Sequence, residues 1–211
     1  MKTLRPFTRR LALVAATAAS AVVLAACGGN DSGSQSADRS PSKSASSPGA
    51  SAPAGTHNAA DVAFAKGMIP HHRQAVEMAD LAATRASSSQ VKELATKIKQ
   101  AQDPEIKTMS GWLTAWGEQV PEEMPGMDHS AHSGMPGMMS TKEMDALKEK
   151  SGKGFDTAFM EMMVGHHEGA VKMAGTEKKK GAYGPAKTLA DAVIEAQKAE
   201  IVQMNKLLGK G

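Results

Sequence analysis

The chain has 211 residues, a formal charge of +3, only 3% aromatic residues, and 15 methionines against one cysteine. So small a charge lacks the electrostatic footprint of nucleic-acid binding, and no nucleic-acid partner is expected. With Cys27 as the lone cysteine, neither an intramolecular disulfide nor a thiolate metal cage can form.

The N-terminus carries Lys2, Arg5, Arg9 and Arg10 ahead of an apolar run from Leu11 to Ala26, the pattern of an export signal over residues 1–26. The run is short for a membrane-spanning helix and ends in small residues and a glycine pair. It closes on Leu24-Ala25-Ala26-Cys27-Gly28, which resembles a bacterial lipobox. That resemblance implies an acylated Cys27 that anchors the protein to the outer face of the cell membrane. Arg9-Arg10 hints at twin-arginine export, but the residues after it fit that pattern poorly, so Sec export is expected. Without the four leader cations the formal charge of +3 becomes about −1.

Residues 27–56 are Ser, Ala, Pro and Gly with scattered charges, too poor in large apolar side chains to fold, and read as a lipidated tether. Residues 57–211 suffice for one folded domain. Within it, a shift of 95 positions lays Asp61–Ala79 on Asp156–Ala174 without a gap. The match continues through Leu94/Leu189, Gln102/Gln197, Glu105/Glu200, Ile106/Ile201, Met109/Met204 and Leu113/Leu208, so the domain is a tandem duplication.

In each copy the apolar positions step by three and four, as in Phe64, Met68, His71, Ala75 and Met78, or Val91, Leu94, Ile98 and Ala101. Two helices per copy follow, joined by turns near Ser87–Ser89 and Gly181–Pro185. Sustained β-type alternation is missing. The expected fold is all-α, an antiparallel four-helix bundle made from two helical hairpins, because neither hairpin can bury its stripe alone. Asp61 and Asp156 are expected as N-caps, and Pro70 and Gly165 predict a kink or irregularity before each histidine pair.

The chemistry-bearing groups recur with the repeat. Met68, His71, His72 and Met78 share helical reach in copy one, as do Met163, His166, His167 and Met173 in copy two, where Met160 and Met162 add two sulfurs. Adjacent histidines project about 100° apart. One ring of each pair, His71 or His166, should therefore point inward, and the other toward a neighbouring helix or solvent. Met109 and Met204 read as core. Glu105 and Glu200 could orient an imidazole through its other nitrogen, supply an oxygen ligand, or lie solvated at a helix edge.

Between the hairpins, residues 121–144 read as a loop too rich in Pro and Gly to be helical. Met124, Met127, Met135, Met138 and Met139 have no evident core to fill there, and His129 and His132 sit among them, so the loop reads as a metal-capturing segment. Thioether sulfur selects Cu(I), and imidazole suits Cu(I) and Cu(II) alike, while thiolate or oxygen cages for zinc, calcium or magnesium are missing. A di-iron site would need Glu-x-x-His motifs, which are not found near the histidine pairs.

The repeated Met-x-x-His-His-x-x-Ala-Val-x-Met-Ala, with the trailing Gln-x-x-Glu-Ile-x-x-Met, resembles the family catalogued as domain of unknown function 305, over about Ala59 to Leu208. The resemblance implies a ferritin-like four-helix bundle, and some members of that family are extracytoplasmic copper-binding proteins linked to copper tolerance. It implies ligands at Met68, His71, His72, Met78, Met163, His166, His167 and Met173. The expected function is copper sequestration, tolerance or delivery at the cell surface, with no enzymatic step. The alternatives are a copper-dependent redox enzyme and a metal-free envelope interaction module. If the inner helices face each other, the two histidine groups can form one composite site, with the sulfur-rich second copy dominant.

Overall fold

The structure, a computed structural model, describes residues 55–122 and 134–210. The leader, Cys27, the tether up to residue 54, and Met124, Met127, His129 and His132 lie outside the described residues. Among the described residues the fold is all-α: α1 Ala59–Arg85, α2 Ser89–Ala115, α3 Thr141–Lys148, α4 Gly152–Lys180 and α5 Gly184–Leu207. The two copies form the hairpins α1–α2 and α4–α5, and α1 packs against α4 at the centre.

α1 starts where Asn58 caps it. Asn58 Oδ1 accepts from the Ala60 and Asp61 amides at 2.8 and 3.3 Å, and Asp61 Oδ2 accepts from the Asn58 amide at 2.6 Å. α2 starts at Ser88, whose hydroxyl accepts from the Val91 amide. Neither Pro70 nor Gly165 interrupts its helix. Each helix runs on through that position without a break.

The core has two parts. One apolar cluster joins Ala75–Ala82 of α1, Val91–Ile98 of α2, Phe155–Met163 of α4 and Met204 of α5. The other joins Phe64–Ile69 of α1, Met109–Leu113 of α2, Ala170 and Ala174 of α4, and Ala186–Val193 of α5. The C-terminal half of α1 thus meets the N-terminal half of α4, so the inner pair runs antiparallel. Between the clusters every long helix changes to polar residues at one level.

α3 was not foreseen, since residues 121–144 read as loop. Ser140 and Glu143 form a capping box that starts it, and Met144 and Leu147, one turn apart, bury themselves in the first cluster. That Ser-x-x-Glu signal and the apolar pair were present in the sequence but were masked by the Pro/Gly-rich residues just before them.

Asp61 and Asp156 are not N-caps; those positions belong to Asn58 and Ser151. Each aspartate instead fastens the turn of the opposite hairpin. Asp156 accepts from the Ser87 amide at 3.1 Å, the Ser87 hydroxyl at 2.5 Å and the Ser88 amide at 3.1 Å. Asp61 accepts from the Ala182 and Tyr183 amides at 3.1 and 2.9 Å. Ala182 is the repeat equivalent of Ser87 and lacks its hydroxyl. Glu177, where copy one has Ala82, stands there instead, its buried carboxyl beside Asp61.

Burial, then the hydrogen bond to Asp61 and the Asp61 charge, push the Glu177 carboxyl up to about 7, with Lys187 opposing. Asp61 is held below its ordinary range: burial opposes ionisation, but the Asn58, Tyr183 and Ala182 amides and Glu177 outweigh it. Glu177 is thus the proton donor of the pair. Its folded-state value lies above its unfolded one, so the folded chain keeps a proton that the unfolded chain loses. Stability from this corner is full below about pH 4.5 and declines as pH rises to about 7. Glu177→Gln keeps a donor toward Asp61 without titrating. Thermal unfolding should show the variant matching the parent at pH 4.5 and melting about 3–8 °C higher at pH 8. Parallel pH profiles for the two proteins would refute the shared proton.

Candidate metal centre

The polar level between the apolar clusters is built from all four long helices. α1 brings His71 and His72, α4 brings His166 and His167, α2 brings Gln102 and Glu105, and α5 brings Gln197 and Glu200. All four histidines are 0% exposed. The repeat makes the arrangement: a matched pair on each inner helix faces a matched Gln-x-x-Glu on its hairpin partner.

Within each pair the rings divide as the helix geometry predicts. His71 and His166 meet across the α1–α4 interface, with ring centroids 3.8 Å apart and planes 43° from parallel. His72 and His167 turn to the neighbouring helices instead, and neither reaches solvent. His72 Nε2 donates to Glu105 Oε2 at 2.7 Å, and His167 Nε2 donates to Glu200 Oε2 at 2.6 Å. The glutamates stay about one-fifth exposed, at 19% and 18% of their side chains, so each carboxylate keeps contact with water while fixing a buried ring. A carboxylate engaged at Nε2 leaves Nδ1 as the free nitrogen, as in imidazoles held by an outer carboxylate for metal ligation.

The nitrogens left over are notable. His72 Nδ1, His167 Nδ1, His71 Nδ1 and both nitrogens of His166 are buried without a hydrogen-bond partner, as are Gln102 Oε1 and Gln197 Oε1. Burial, reinforced by the neighbouring His72, holds the His71 imidazolium down to about 3, against the pull of the Pro136 carbonyl. Burial, then His71 and His167, also hold His166 well below its ordinary value. These two rings are neutral at any ordinary pH, with lone pairs available for an electrophile. Buried nitrogens in this state suit a soft or borderline cation better than a proton.

The methionines are divided by the same level. Met68 lies in the cluster with Phe64 and Ile69, whereas Met78, Met160 and Met163 lie in the other, and Met162 packs half-buried beside them. Met109 and Met204 are fully buried core. Among the described residues no three His, Cys, Asp or Glu side chains converge as a ready cage. Met173 sits farther out, beside Gly67. A side chain built at Gly67 would meet Met173 Cε at 3.0 Å and Met135 Sδ at 3.6 Å, so these two thioethers share one spot on α1.

The linker returns over this level. Arg73 Nη1 donates to the Pro121 carbonyl at 2.7 Å, and Gln74 exchanges two hydrogen bonds with the Met139 backbone, at 2.8 and 2.7 Å. His71 Nε2 donates to the Pro136 carbonyl at 3.0 Å. Both described ends of the Met/His-rich linker are thus tied to the α1 turn that follows the histidine pair. Sequence reasoning missed Gln74; its only trace was that Gln74 aligns with Gly169, a mismatch inside an otherwise close repeat.

The described model of the domain of unknown function DUF305 matches residues 61–208. Among solved structures, a putative secreted DUF305 protein from Streptomyces coelicolor is 36% identical, with a TM-score of 0.64 over 72% of this chain and 93% of that one. A DUF305 fragment from Deinococcus radiodurans is 28% identical, with a TM-score of 0.64 over 73% and 98%. CopM in its Cu(I)-bound form is 33% identical, with a TM-score of 0.57 over 70% and 94%. No curated protein matches the chain. A family model spanning both hairpins and all four histidines, together with structures of the same family covered almost end to end, places this chain in the DUF305 family.

Proposed function

We propose that this protein is an extracytoplasmic copper-binding protein, favouring Cu(I), that sequesters copper or delivers it. The carrying observation is the set of buried and unpartnered imidazole nitrogens that both repeats bring to one level. His71, His72, His166 and His167 would hold the ion. Glu105 and Glu200 orient His72 and His167, and nearby thioethers favour the softer copper state. CopM, solved in Cu(I)-bound and Cu(II)-bound forms, supports the same cargo. In this reading the four long helices form a ferritin-like four-helix bundle. The linker methionines and histidines collect ions outside it, with Met135 and Met173 at the margin, and acylated Cys27 tethers the protein to the membrane. No catalytic step is part of the proposal.

Competition titration with a chromophoric Cu(I) chelator under reducing conditions tests it. The variant with His71, His72, His166 and His167 all changed to Ala should lose more than about 100-fold in affinity, beyond the cost of an outer-shell change alone. Equal Cu(I) affinity in parent and variant, with helical content preserved by circular dichroism, would sink the proposal.

Glu105→Gln and Glu200→Gln probe the orienting carboxylates. Each should weaken Cu(I) binding about 10-fold while leaving the helices intact, since a neutral amide no longer fixes the ring or raises its basicity. No change in either variant would mean that the glutamates only solvate the helix edge.

A further inference from the structure

The four histidines have no exposed surface, yet the linker that covers them is attached by few bonds. Its described part, Gly134–Met139, lies across α1 and α4 directly over the level of His71 and His166. The seat is made by the two residues of one position at which the copies differ. Gln74 on α1 and Gly169 on α4 are equivalent positions, and they do opposite things.

Gln74, 2% exposed, uses its whole amide on the strap: Nε2 donates to the Met139 carbonyl and Oε1 accepts from the Met139 amide. Gly169 supplies space. A Cβ there would stand 1.9 Å from the Pro136 oxygen and 2.9 Å from the Gly137 Cα, so only glycine lets the strap settle on α4. Gly137 has φ +80°, and a Cβ on it would stand 2.6 Å from the Gly165 carbonyl oxygen and 2.9 Å from that of His166. With the strap down, Pro136 also occupies His71 Nε2. If each copy carried the other's residue, the strap would lose its latch on one side and its clearance on the other.

We propose that Met135–Met139 is a releasable cover over the His71/His166 level, latched by Gln74 and seated on Gly169, and that metal reaches or leaves the buried histidines when the latch opens. This rests on the copper reading above and adds how that site is controlled. Gln74 is a positioning residue: it touches the strap, not the ion. Opening exposes the level and frees His71 Nε2 from Pro136. It also carries Met135 away from Met173, so the two thioethers at Gly67 are together only when the cover is down.

The test uses the full chain carrying Gln74→Leu, which removes both latch bonds at similar size. In the metal-free protein, hydrogen exchange at the Met139 amide should speed up at least about tenfold, because its acceptor is Gln74 Oε1. In stopped-flow mixing under reducing conditions, Cu(I) uptake, and release to excess chelator, should both accelerate about fivefold or more, with equilibrium affinity moving less than either rate. Gly169→Ala, checked for parent-like helical content, should give the same pattern by blocking the seat. Parent-like exchange at Met139 in Gln74→Leu would overturn the latch. Unchanged uptake and release in that variant would overturn its control of the site. Should the parent bind no Cu(I), the copper reading fails, while the metal-free exchange measurement still decides the latch separately.

Discussion

The structure turns on one buried polar level placed between two apolar clusters. A buried nitrogen or amide oxygen without a partner costs about 1–3 kcal/mol. Seven such atoms lie at this level: five imidazole nitrogens and the Gln102 and Gln197 carbonyl oxygens. A fold that needed only stability would fill these positions with apolar side chains, as it does one turn away with Met68, Ala75, Ile98, Met163, Ala170 and Val193. In the proposed copper-binding reading, an ion engaging the nitrogens would recover the energy forgone, which would link ion binding to the stability of the helical assembly by mass action. The apolar clusters on both sides are what make the level possible, since they hold the helices in register while its own members contribute little.

The duplication explains why the level is symmetric, and its divergence explains why the surroundings are not. Equivalent residues supply the four rings, their glutamates and their glutamines. Three mismatches make one-sided structure. At Gly165, the counterpart of Pro70, the strap glycine Gly137 comes close to the backbone carbonyl on the α4 side. Gln74 against Gly169 makes a latch opposite a seat. Ser87 with Ala82, against Ala182 with Glu177, exchanges a hydroxyl donor for a carboxylic acid at the corner where each hairpin clasps the other. In the last case one donor was lost and another, from a different position in the repeat, now stands beside the equivalent aspartate.

How much of this was legible in the sequence depended on the range of the interaction. The 95-residue shift and the three-four spacing are local and repeated, so the hairpins, their turns and the division of labour within each histidine pair could be read directly. The roles of Glu105 and Glu200 could not be settled, because the spacing places them on the right face but does not show whether a ring reaches them. Asp61 and Asp156 were misassigned for the same reason. A carboxylate at the start of a helix satisfies a local capping rule, while its real partners lie 121 and 69 residues away in the opposite hairpin. α3 was hidden because the Pro- and Gly-rich context outweighed its capping box. Met68 and Met78 were grouped with His71 on helical reach alone, yet the level sends Met68 to one cluster and Met78 to the other.

The asymmetry of the strap also bears on which copy dominates. The sequence suggested the second copy on its sulfur count, but Met160 and Met163 are packed among phenylalanines and aliphatic side chains, where apolar burial alone accounts for them. The imidazoles give a stronger argument. His71 spends one nitrogen on the Pro136 carbonyl, whereas His166, fully buried against it, has no partner on either nitrogen. A ring with two free nitrogens at the centre of the interface is the one whose solvation is most deficient, and so gains most from an electrophile. In the proposed reading, a preference for the second copy would rest on which ring the strap leaves alone, a property of the linker and of Gly169 rather than of the extra methionines.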